Sequence, residues 1–425
     1  MLYTIAIHLY AFAVELSSIL HRKARMMRFG QWKTNTILRE QIDRNAQYIW
    51  FHASSLGEFE QGRPMMEKIK IRYPEYKILL TFFSPSGYEV RKNYPGADVI
   101  CYLPFDTPYK VRKFICLANP SMAIFIKYEF WANYILELKR RNIPVYSISS
   151  IFRPGQLFFK WYGRPYLNVL RCFDHLFVQD EFSSGLLAGK GITNVTVSGD
   201  TRFDRVMDVQ QAARPIPLVE AFVKNKRSRK QLTLIAGSSW PRDEELLIHY
   251  FNEHPEVKLI IAPHEIDRSH LLEIHAHLKR PSVRLSDASE RDMEDKDCLI
   301  IDSFGLLSSI YRYGDIACIG GGFGKGIHNI LEAAVYGVPV IFGPTYHKFK
   351  EAKDIIAVGG GFAVSDQKEW NARIDEWIAN PASLQAAGQA AGEFVRNHTG
   401  ATEKILQSLN LTKAASPMKN TCYLF

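Results

Sequence analysis

The sequence predicts an α/β protein with two doubly wound parallel sheets in tandem. Short apolar runs alternate with amphipathic segments along most of the 425 residues, and this alternation is typical of parallel βαβ units. The alternation also begins twice, because the run QYIWFHA followed by SSLGE is echoed by QLTLIA followed by GSSWPRDEE. Two such sheets in tandem predict a ligand cleft between them, at the carboxyl ends of their strands.

The composition favours anionic partners. The chain has a formal net charge of +9, which attracts nucleic acid, acidic lipid or phosphorylated substrates. No nucleic-acid-binding signature is present, so we expect no nucleic-acid partner, and membranes and phosphorylated compounds rank higher. The six cysteines form no CxxC pair, which indicates free thiols in a reducing compartment.

Residues 1–21 predict a hydrophobic helix that anchors the chain to a membrane. The apolar run reaches the roughly 20 residues that a spanning helix needs. A cationic cluster follows it, formed by His21, Arg22, Lys23, Arg25, Arg28 and Lys33. Positive charge on this side predicts a cytoplasmic location for the rest of the chain. A spanning helix, a helix lying in the interface on anionic head groups, and a buried first helix of a soluble domain all remain open.

Residues 22–205 predict the first α/β domain and residues 231–395 the second. In the first domain, strands are expected near 47–53, 77–83, 99–103, 122–126, 145–149, 176–179 and 195–198. In the second domain, strands are expected near 231–236, 257–262, 298–302, 316–319 and 338–342. Prolines and the charge run KNKRSRK predict a linker over 206–230, and residues 396–425 predict a C-terminal helix and tail.

The stretch GGGFGKGIHNILEAAVYGVPVIFGP, residues 320–344, is a candidate nucleotide site. Its glycines allow the backbone to approach a ligand, and Asn329 can cap a helix through Ile330 and Leu331 to Val335. A helix start favours a phosphate, and Glu332 in the first turn can accept hydrogen bonds from a ribose. The same residues also fit a tight βα turn in which Glu332 complements the helix dipole. The pattern is neither Walker A nor GxGxxG.

Several stretches together resemble the Kdo transferases, which use CMP-Kdo (Kdo is 3-deoxy-D-manno-octulosonic acid) to modify the lipid A precursor. The matching stretches, in the family's order, are HASSLGE, TFFSPSGYE, KYEFWANYI, SGDTRFD, AGSSWPRDEE, DSFGLLSSIYRYGDIACIGGGF and HNILEAAVYGVPVIFGPTYHKFKEA. They extend over about residues 1–405. The resemblance implies a GT-B fold, in which two Rossmann-like domains face each other across a cleft. The first domain then binds the acceptor and the second binds CMP-Kdo.

The resemblance also implies three catalytic residues. Glu58, in the S-x-G-E loop, matches the base that takes the proton of the acceptor hydroxyl, with Gly57 allowing a sharp turn before it. Glu129 in KYEFW matches a glutamate that acts at the transition state. Arg202 in GDTRFD matches a cation, often Lys, that offsets charge on the leaving phosphate. The alternatives are a dipole-complementing Glu58, a Glu129 that anchors a helix start, and an ion pair of Arg202 with Asp200 or Asp204.

For the nucleotide sugar, the resemblance implies three groups of binding residues. They are Pro263 and His264, then Phe304, Gly305 and Leu306, then Asn329, Ile330, Leu331 and Glu332. Two departures affect this match: Pro263-His264-Glu265-Ile266 stands where the family has Pro-Arg-His-Pro, and Phe304-Gly305-Leu306 stands where it has Met-Gly-Glu. No metal and no cofactor are expected. His270, Glu273 and His277 can share one helix face, but nothing like HExxH is present, and a solvent-exposed helix is the preferred interpretation.

The resemblance therefore implies an inverting glycosyltransferase of lipopolysaccharide and lipid A biosynthesis. Its expected partners are CMP-Kdo, a lipid A precursor glycolipid and the anionic surface of the inner membrane, on the cytoplasmic face. One alternative is a nucleotide-sugar 2-epimerase on the same fold, which needs no membrane helix. A second alternative is a non-catalytic, membrane-attached nucleotide-binding adaptor. An NAD-dependent dehydrogenase is disfavoured because no GxGxxG follows the first strand.

Overall fold

The computed structural model describes residues 2–224, 231–293, 295–409 and 411. The chain forms two compact units, of which the second is Val206–His398 and the first comprises the residues before and after it. Residues 225–230 of the predicted linker, and the predicted tail after residue 411, lie outside the described residues.

The first unit alternates strands and helices from the start of its sheet. Its strands are β1 (Gln47–Ala53), β2 (Tyr76–Phe82), β3 (Val99–Tyr102), β4 (Pro120–Ile126), β5 (Val145–Ser150), β6 (His175–Val178) and β7 (Val195–Val197). Its helices are α1 (Leu2–Ser17), α2 (Arg22–Gln41), α3 (Leu56–Arg72), α4 (Pro85–Arg91), α5 (Pro108–Ala118), α6 (Ala132–Arg140), α7 (Arg164–Leu170), α8 (Glu181–Ala188) and α9 (Thr201–Ala212), the last of which continues past Arg205.

The described strands of the first unit form one parallel sheet in the order β3-β2-β1-β4-β5-β6-β7. The strand order reverses between β1 and β4, and the crevice beyond the carboxyl ends at such a reversal is where open α/β sheets bind ligands. β1 is buried on both faces because Trp50 packs into one apolar cluster while Ile49 and Phe51 pack into the other. The loops after β1 and β4 are therefore adjacent at the expected binding edge.

Helix α1 lies on the first unit along one of its faces. Ala11 and Val14 pack with Phe83, Phe105 and Trp131, while a second set of apolar side chains is exposed. The exposed set is Leu2, Ile5, Leu9, Phe12 and Leu16. Among the described residues no single helix has the length and hydropathy to cross a membrane, whereas α1 and α2 have them together as a pair bent by 116°.

The second unit repeats this architecture. Its strands are β8 (Leu232–Ser239), β9 (Val257–Pro263), β10 (Ser282–Arg284), β11 (Cys298–Ile300), β12 (Ile316–Ile319), β13 (Val340–Phe342) and β14 (Gly361–Ala363). Its helices are α10 (Pro217–Lys224), α11 (Pro241–Glu253), α12 (Arg268–His277), α13 (Leu307–Ile310), α14 (Leu331–Ala334), α15 (Lys350–Ala357), α16 (Gln367–Ala379) and α17 (Pro381–Asn397). The described strands pair in the order β10-β11-β9-β8-β12-β13-β14, so this sheet reverses between β8 and β12.

The last described helix, α18 (Ala401–Ser408), returns to the first unit. Its Ile405 and Leu406 join the apolar cluster that contains Ile49 and Phe51. Asp204 accepts hydrogen bonds from the N–H groups of Gly400 and Thr402, at 2.6 and 2.7 Å, and so satisfies the start of this helix.

Candidate active site

Glu58 lies in the first turn of α3, directly after β1. Its Oε2 accepts hydrogen bonds from the backbone N–H groups of Ser54 and Ser55, at 2.5 and 3.1 Å, so it closes a capping box with Ser55. The predicted sharp turn at Gly57 is wrong, because Gly57 is already helical. A Cβ at Gly57 would meet no atom within 4 Å outside the neighbouring residues and the backbone of α3, so the surface over Gly57 is open.

The environment of Glu58 favours its protonated form. Burial and the nearby charge of Glu129 raise its pKa to about 8, although the N–H groups of Ser54 and Ser55 and the charge of Lys127 act in the opposite direction. A carboxyl group with such a pKa exchanges its proton near neutral pH, which is a property that general bases need.

Glu129 follows β4, the strand next to β1 at the reversal of the sheet. It is buried, and its Oε2 accepts a hydrogen bond of 2.5 Å from the indole N–H of Trp131. The same oxygen lies 3.2 Å from Nε2 of His52, a fully buried residue of β1. The two candidate carboxyl groups thus come from adjacent loops, and their charges oppose each other.

Arg202 forms the ion pair with Asp200 that was one of the two interpretations from sequence. Its Nε and one Nη lie 2.9 and 2.7 Å from Oδ2 of Asp200, which Arg202 holds in the charged form. Burial raises the pKa of Asp200, but the charge and hydrogen bonds of Arg202 outweigh burial, so the pKa lies below its usual value. The charges of Arg202 and Glu58 both act on the hydroxyl of Tyr128, so these residues lie around one segment after β4.

In the second unit, three rings meet where β8, β9 and β12 end. Trp240 stacks on His264 with their centroids 4.8 Å apart, and His264 stacks on His328 at 4.4 Å. The indole N–H of Trp240 donates to Nε2 of His328 at 3.0 Å. Burial, with a smaller effect of His264, lowers the pKa of His328 to about 4, so this ring is neutral at physiological pH.

The glycine loop after β12 is held against the loop after β8. Oδ2 of Asp243 accepts hydrogen bonds from the N–H groups of Gly321 and Trp240, at 2.9 and 3.0 Å. A Cβ at Gly320 would stand 2.1 Å from the carbonyl oxygen of Ser238, and Gly321 has a φ of +88°, so both positions require glycine. These glycines therefore allow two loops of the protein to approach each other closely, and the predicted approach to a ligand stays a prediction.

The predicted helix after Asn329 is shorter than expected. Helix α14 covers only Leu331–Ala334, with Ile330 immediately before it. The side chain of Asn329 accepts a hydrogen bond from the N–H of Leu331 at 3.2 Å and donates one to Glu332 at 3.0 Å. One helical turn carries little of the dipole that we expected to hold a phosphate, because that dipole accumulates over several turns.

The remaining candidate positions lie at the same edge of the second sheet. Pro263 ends β9, and the N–H of His264 donates to the carbonyl of Ser239 at 2.9 Å. Phe304 follows β11 and is 79% exposed, Gly305 has a φ of +86°, and Leu306 precedes α13. Since β11 lies two strands from β8, this loop is about 10 Å from the Trp240 loop along the sheet.

His270 lies 2.7 Å from Glu244 of α11, and within the described ranges no group of three or more His, Cys, Asp or Glu side chains is arranged to hold a metal ion.

Comparison with known proteins supports the resemblance to one family. The family model described as 3-deoxy-D-manno-octulosonic-acid transferase (kdotransferase) matches residues 24–205. The 3-deoxy-D-manno-octulosonic acid transferase of Aquifex aeolicus is 28% identical over 338 residues, which are 78% of this chain and 86% of that protein. The enzyme of the same name from Bordetella pertussis is 26% identical, over 85% of this chain and 86% of its own length. Over most of its length the chain is similar to the Kdo transferases. It is a glycosyltransferase.

Solved structures show the fold of this chain. A UDP-GlcNAc 2-epimerase from Neisseria meningitidis, bound to UDP-GlcNAc, is similar with a TM-score of 0.57 and 14% identity. The match covers 85% of this chain and 99% of the epimerase. At this identity the likeness carries the GT-B-like fold alone, because one fold hosts many chemistries.

Sequence reasoning missed several residues at both edges. In the first unit these are His52, Lys127, Tyr128 and Trp131, and in the second they are Trp240, Asp243 and His328. A signal was present for His52, since a lone imidazole in the apolar run YIWFHA needs hydrogen-bond partners once the strand is buried.

Proposed function

We propose that this glycosyltransferase moves Kdo from CMP-Kdo to a lipid A precursor in lipopolysaccharide biosynthesis, with inversion at the anomeric carbon. The observation that supports the proposal most directly is the environment of Glu58. This residue has a carboxyl group with a pKa of about 8, beside Glu129, at the reversal of the first sheet in a chain similar to the Kdo transferases. The names of the relatives supply Kdo, whereas CMP as the carrier and the lipid acceptor are part of the proposal.

In the proposed reaction, the acceptor hydroxyl attacks the anomeric carbon while the bond from that carbon to the CMP phosphate breaks. Glu58 takes the hydroxyl proton, and CMP leaves with the bonding electrons. The open space over Gly57 gives the acceptor hydroxyl access to the Glu58 carboxylate. A base whose pKa lies near the working pH is deprotonated in a useful fraction of molecules and still binds the proton strongly.

Arg202 and Glu129 support this step with charges of opposite sign. Arg202 offers a fixed positive charge to the departing phosphate, since Asp200 orients its guanidinium by two hydrogen bonds. Glu129 keeps the proton affinity of Glu58 high through its own negative charge. Neither role requires a metal, and we propose a mechanism without one.

The donor CMP-Kdo is proposed to bind the carboxyl edge of the second sheet. Phe304 offers an exposed ring on which a cytosine can stack, and Asn329 and Glu332 offer polar groups for a ribose. Backbone groups near Pro263, Gly305, Leu306, Ile330 and Leu331 complete the proposed contacts. His264 and His328 are stacked at the same edge, and the low pKa of His328 keeps that ring neutral beside an anionic donor.

The acceptor is proposed to be reached from the cytoplasmic face of the inner membrane. Exposed apolar side chains of α1, among them Leu9 and Phe12, are followed in the chain by the exposed cations Arg22 and Lys23 at the start of α2. An apolar face bordered by cations is typical of a helix lying in an anionic membrane interface.

The direct test is to incubate the full chain with CMP-Kdo and a tetra-acylated lipid A precursor and to measure product mass. The proposal expects a mass increase by one or more Kdo units and release of CMP. Glu58→Gln should lower the transfer rate by roughly 10²- to 10⁴-fold. Glu60→Gln is the matched control, because Glu60 pairs with Arg63 and Arg91 and should leave the rate within a few-fold.

Other outcomes separate the alternatives. Epimerisation of a nucleotide sugar without lipid would replace the proposal by the epimerase that the fold also accommodates. Full activity of Glu58→Gln would reject Glu58 as the base. Binding of CMP-Kdo without any product, under conditions where a family enzyme is active, would favour a non-catalytic adaptor.

A further inference from the structure

A buried polar chain lies behind Glu129 and is not accounted for by the proposed mechanism. It begins at Trp50 and Thr81, passes through His52 and ends at Glu129, with Trp131 beside it. His52 has no exposed surface, so both of its ring nitrogens depend on protein partners.

Thr81 provides the hydrogen-bond partners of Nδ1, at one end of the His52 ring. Its Oγ1 accepts the indole N–H of Trp50 at 2.8 Å, and its hydroxyl proton can go to the carbonyl of Phe51 at 3.3 Å. Nδ1 of His52 lies 2.9 Å from this Oγ1 and 3.2 Å from the carbonyl oxygen of Thr81. With the Thr81 hydroxyl proton directed to Phe51, Nδ1 carries a proton and donates it to Oγ1 and to the carbonyl oxygen of Thr81, both of which can accept.

The other end of the ring faces the candidate carboxyl group. Nε2 lies 3.2 Å from Oε2 of Glu129, and the indole N–H of Trp131, which can only donate, lies 3.1 Å from Nε2 and 2.5 Å from that oxygen. A bare Nε2 facing a bare carboxylate would place two acceptors together. The Trp131 N–H alone would then have to serve both. With Nδ1 protonated, a proton between Nε2 and Oε2 joins them directly and makes the pair as a whole neutral wherever that proton resides.

We propose that His52 is a positioning residue that shares one proton with Glu129 and thereby limits the negative charge that Glu129 presents to Glu58. The proposal rests on the proposed role of Glu58 as the base. The contact fixes the carboxyl group of Glu129 at the reversal of the sheet, and the shared proton sets how strongly Glu129 opposes ionisation of Glu58.

Other charged groups face this cluster from several elements and remain in place in the tests below. They are Lys127 and Tyr128 after β4, Asp106 after β3, Arg153 after β5, Asp180 before α8 and Arg202 in α9. Because none of them is altered, a change of pH dependence on substitution of His52 reports on the His52–Glu129 contact.

The first test is the pH dependence of the transfer rate. In His52→Phe, Glu129 loses the shared proton, so the acid limb of the profile should move to higher pH by about one unit. In His52→Gln, a permanent amide donor can take the place of Nε2–H, so the limb should lie between those of the wild type and the Phe variant. His175→Gln is the control: this histidine of β6 contacts Thr196 and should leave the limb unchanged.

The second test does not require activity. In the full chain labelled with ¹⁵N-histidine, the His52 signals are those absent from His52→Gln. Nδ1 should appear protonated and Nε2 intermediate between protonated and bare over pH 6–8. A bare Nδ1, or an unmoved acid limb in a folded His52→Phe variant, overturns the proposal. Loss of the Glu58 assignment alone would leave the NMR prediction standing, so the two failures are distinguishable.

Discussion

At the residue scale, Glu58 combines two properties that usually belong to different residues. Its carboxylate oxygen satisfies two N–H groups at the start of α3, and yet burial and Glu129 keep its pKa near 8. The sequence alternatives of a helix cap and a base are therefore compatible. The capping contacts orient the carboxyl group, and Glu129 adjusts its proton affinity.

The raised pKa of Glu58 has a consequence for stability. The unfolded chain binds this proton with a pKa of about 4.3, whereas the folded chain binds it with a pKa of about 8. Between these values the folded state holds more protons, so the free energy of unfolding falls as the pH rises. The Glu58→Gln variant has no ionisable group at this position, so its free energy of unfolding does not fall in this way. Its amide oxygen can still accept hydrogen bonds from the N–H groups of Ser54 and Ser55.

The melting temperature of Glu58→Gln relative to the wild type should therefore increase from pH 5 to pH 8, by roughly a few degrees. Thermal unfolding followed by circular dichroism at several pH values measures it. A difference that stays constant over this range would mean that Glu58 ionises normally in the folded chain. Glu60→Gln, which loses exposed ion pairs, should not show the same increase.

At the scale of elements, α18 depends on a single carboxylate for its attachment to α9. Asp204 accepts hydrogen bonds from the N–H groups of Gly400 and Thr402 and from the Thr402 hydroxyl. We expect Asp204→Ala to lower the free energy of unfolding by about 2 kcal/mol, because a cap is lost and buried donors are left without an acceptor. Urea unfolding measures this, with the exposed Gln211→Ala as the control. Equal stability of both variants would show that apolar packing and the ion pairs of Glu403 with Lys68 and Arg72 hold α18 without this cap.

The N-terminal cations lie around the bend between α1 and α2, here called the corner, and they are of two kinds. Arg25 donates to the carbonyls of Ser18 and Ile19, and Arg28 lies 2.8 Å from Glu15, so both stabilise the corner itself. Arg22 and Lys23 are exposed beside it. These two are the better test of membrane binding, because their removal leaves the corner intact.

The double change Arg22→Gln and Lys23→Gln should weaken binding to vesicles that contain anionic lipid by roughly 30-fold, at about 1 kcal/mol per cation. Vesicle sedimentation at physiological salt measures the change. Arg39→Gln removes an exposed charge from the distant end of α2, about 25 Å away, and should have little effect. An equal loss of binding free energy per removed charge in both variants would indicate attraction by net charge rather than a docking face.

At the scale of the whole molecule, most of the fold was predictable from the alternation of strand and helix patterns along the sequence. The buried parallel strand β1 has the bounds predicted from its apolar run, whereas β8 begins one residue later and ends three residues later than the predicted 231–236. The short edge strands β10 and β14 were missed because their sequences, SVR and GFA, lack the β-branched pattern VTV of the equally short edge strand β7. Hydropathy contains little information on so short a segment.

The candidate site was predictable to a different degree in each unit. Glu58 and Glu129 follow strands that are far apart in sequence, and only the family resemblance paired them. The ring stack of Trp240, His264 and His328 depends on side-chain directions at three strand ends, which no periodicity encodes. The length of the helix after Asn329 was overestimated because Gly337 and Pro339 place its end only within a few residues.

The central claim is that Glu58 is a base whose proton affinity is set by Glu129. The measurement that tests it most directly is the pH dependence of single-turnover Kdo transfer in the wild type and in Glu129→Gln. The base must be deprotonated, so the wild-type rate should rise with pH through about 8. Removing the opposing charge should move this rise to lower pH, by about one unit or more, even though the maximal rate also falls. A rise at the same pH in both proteins, or a wild-type rise already complete at pH 5, would contradict the account.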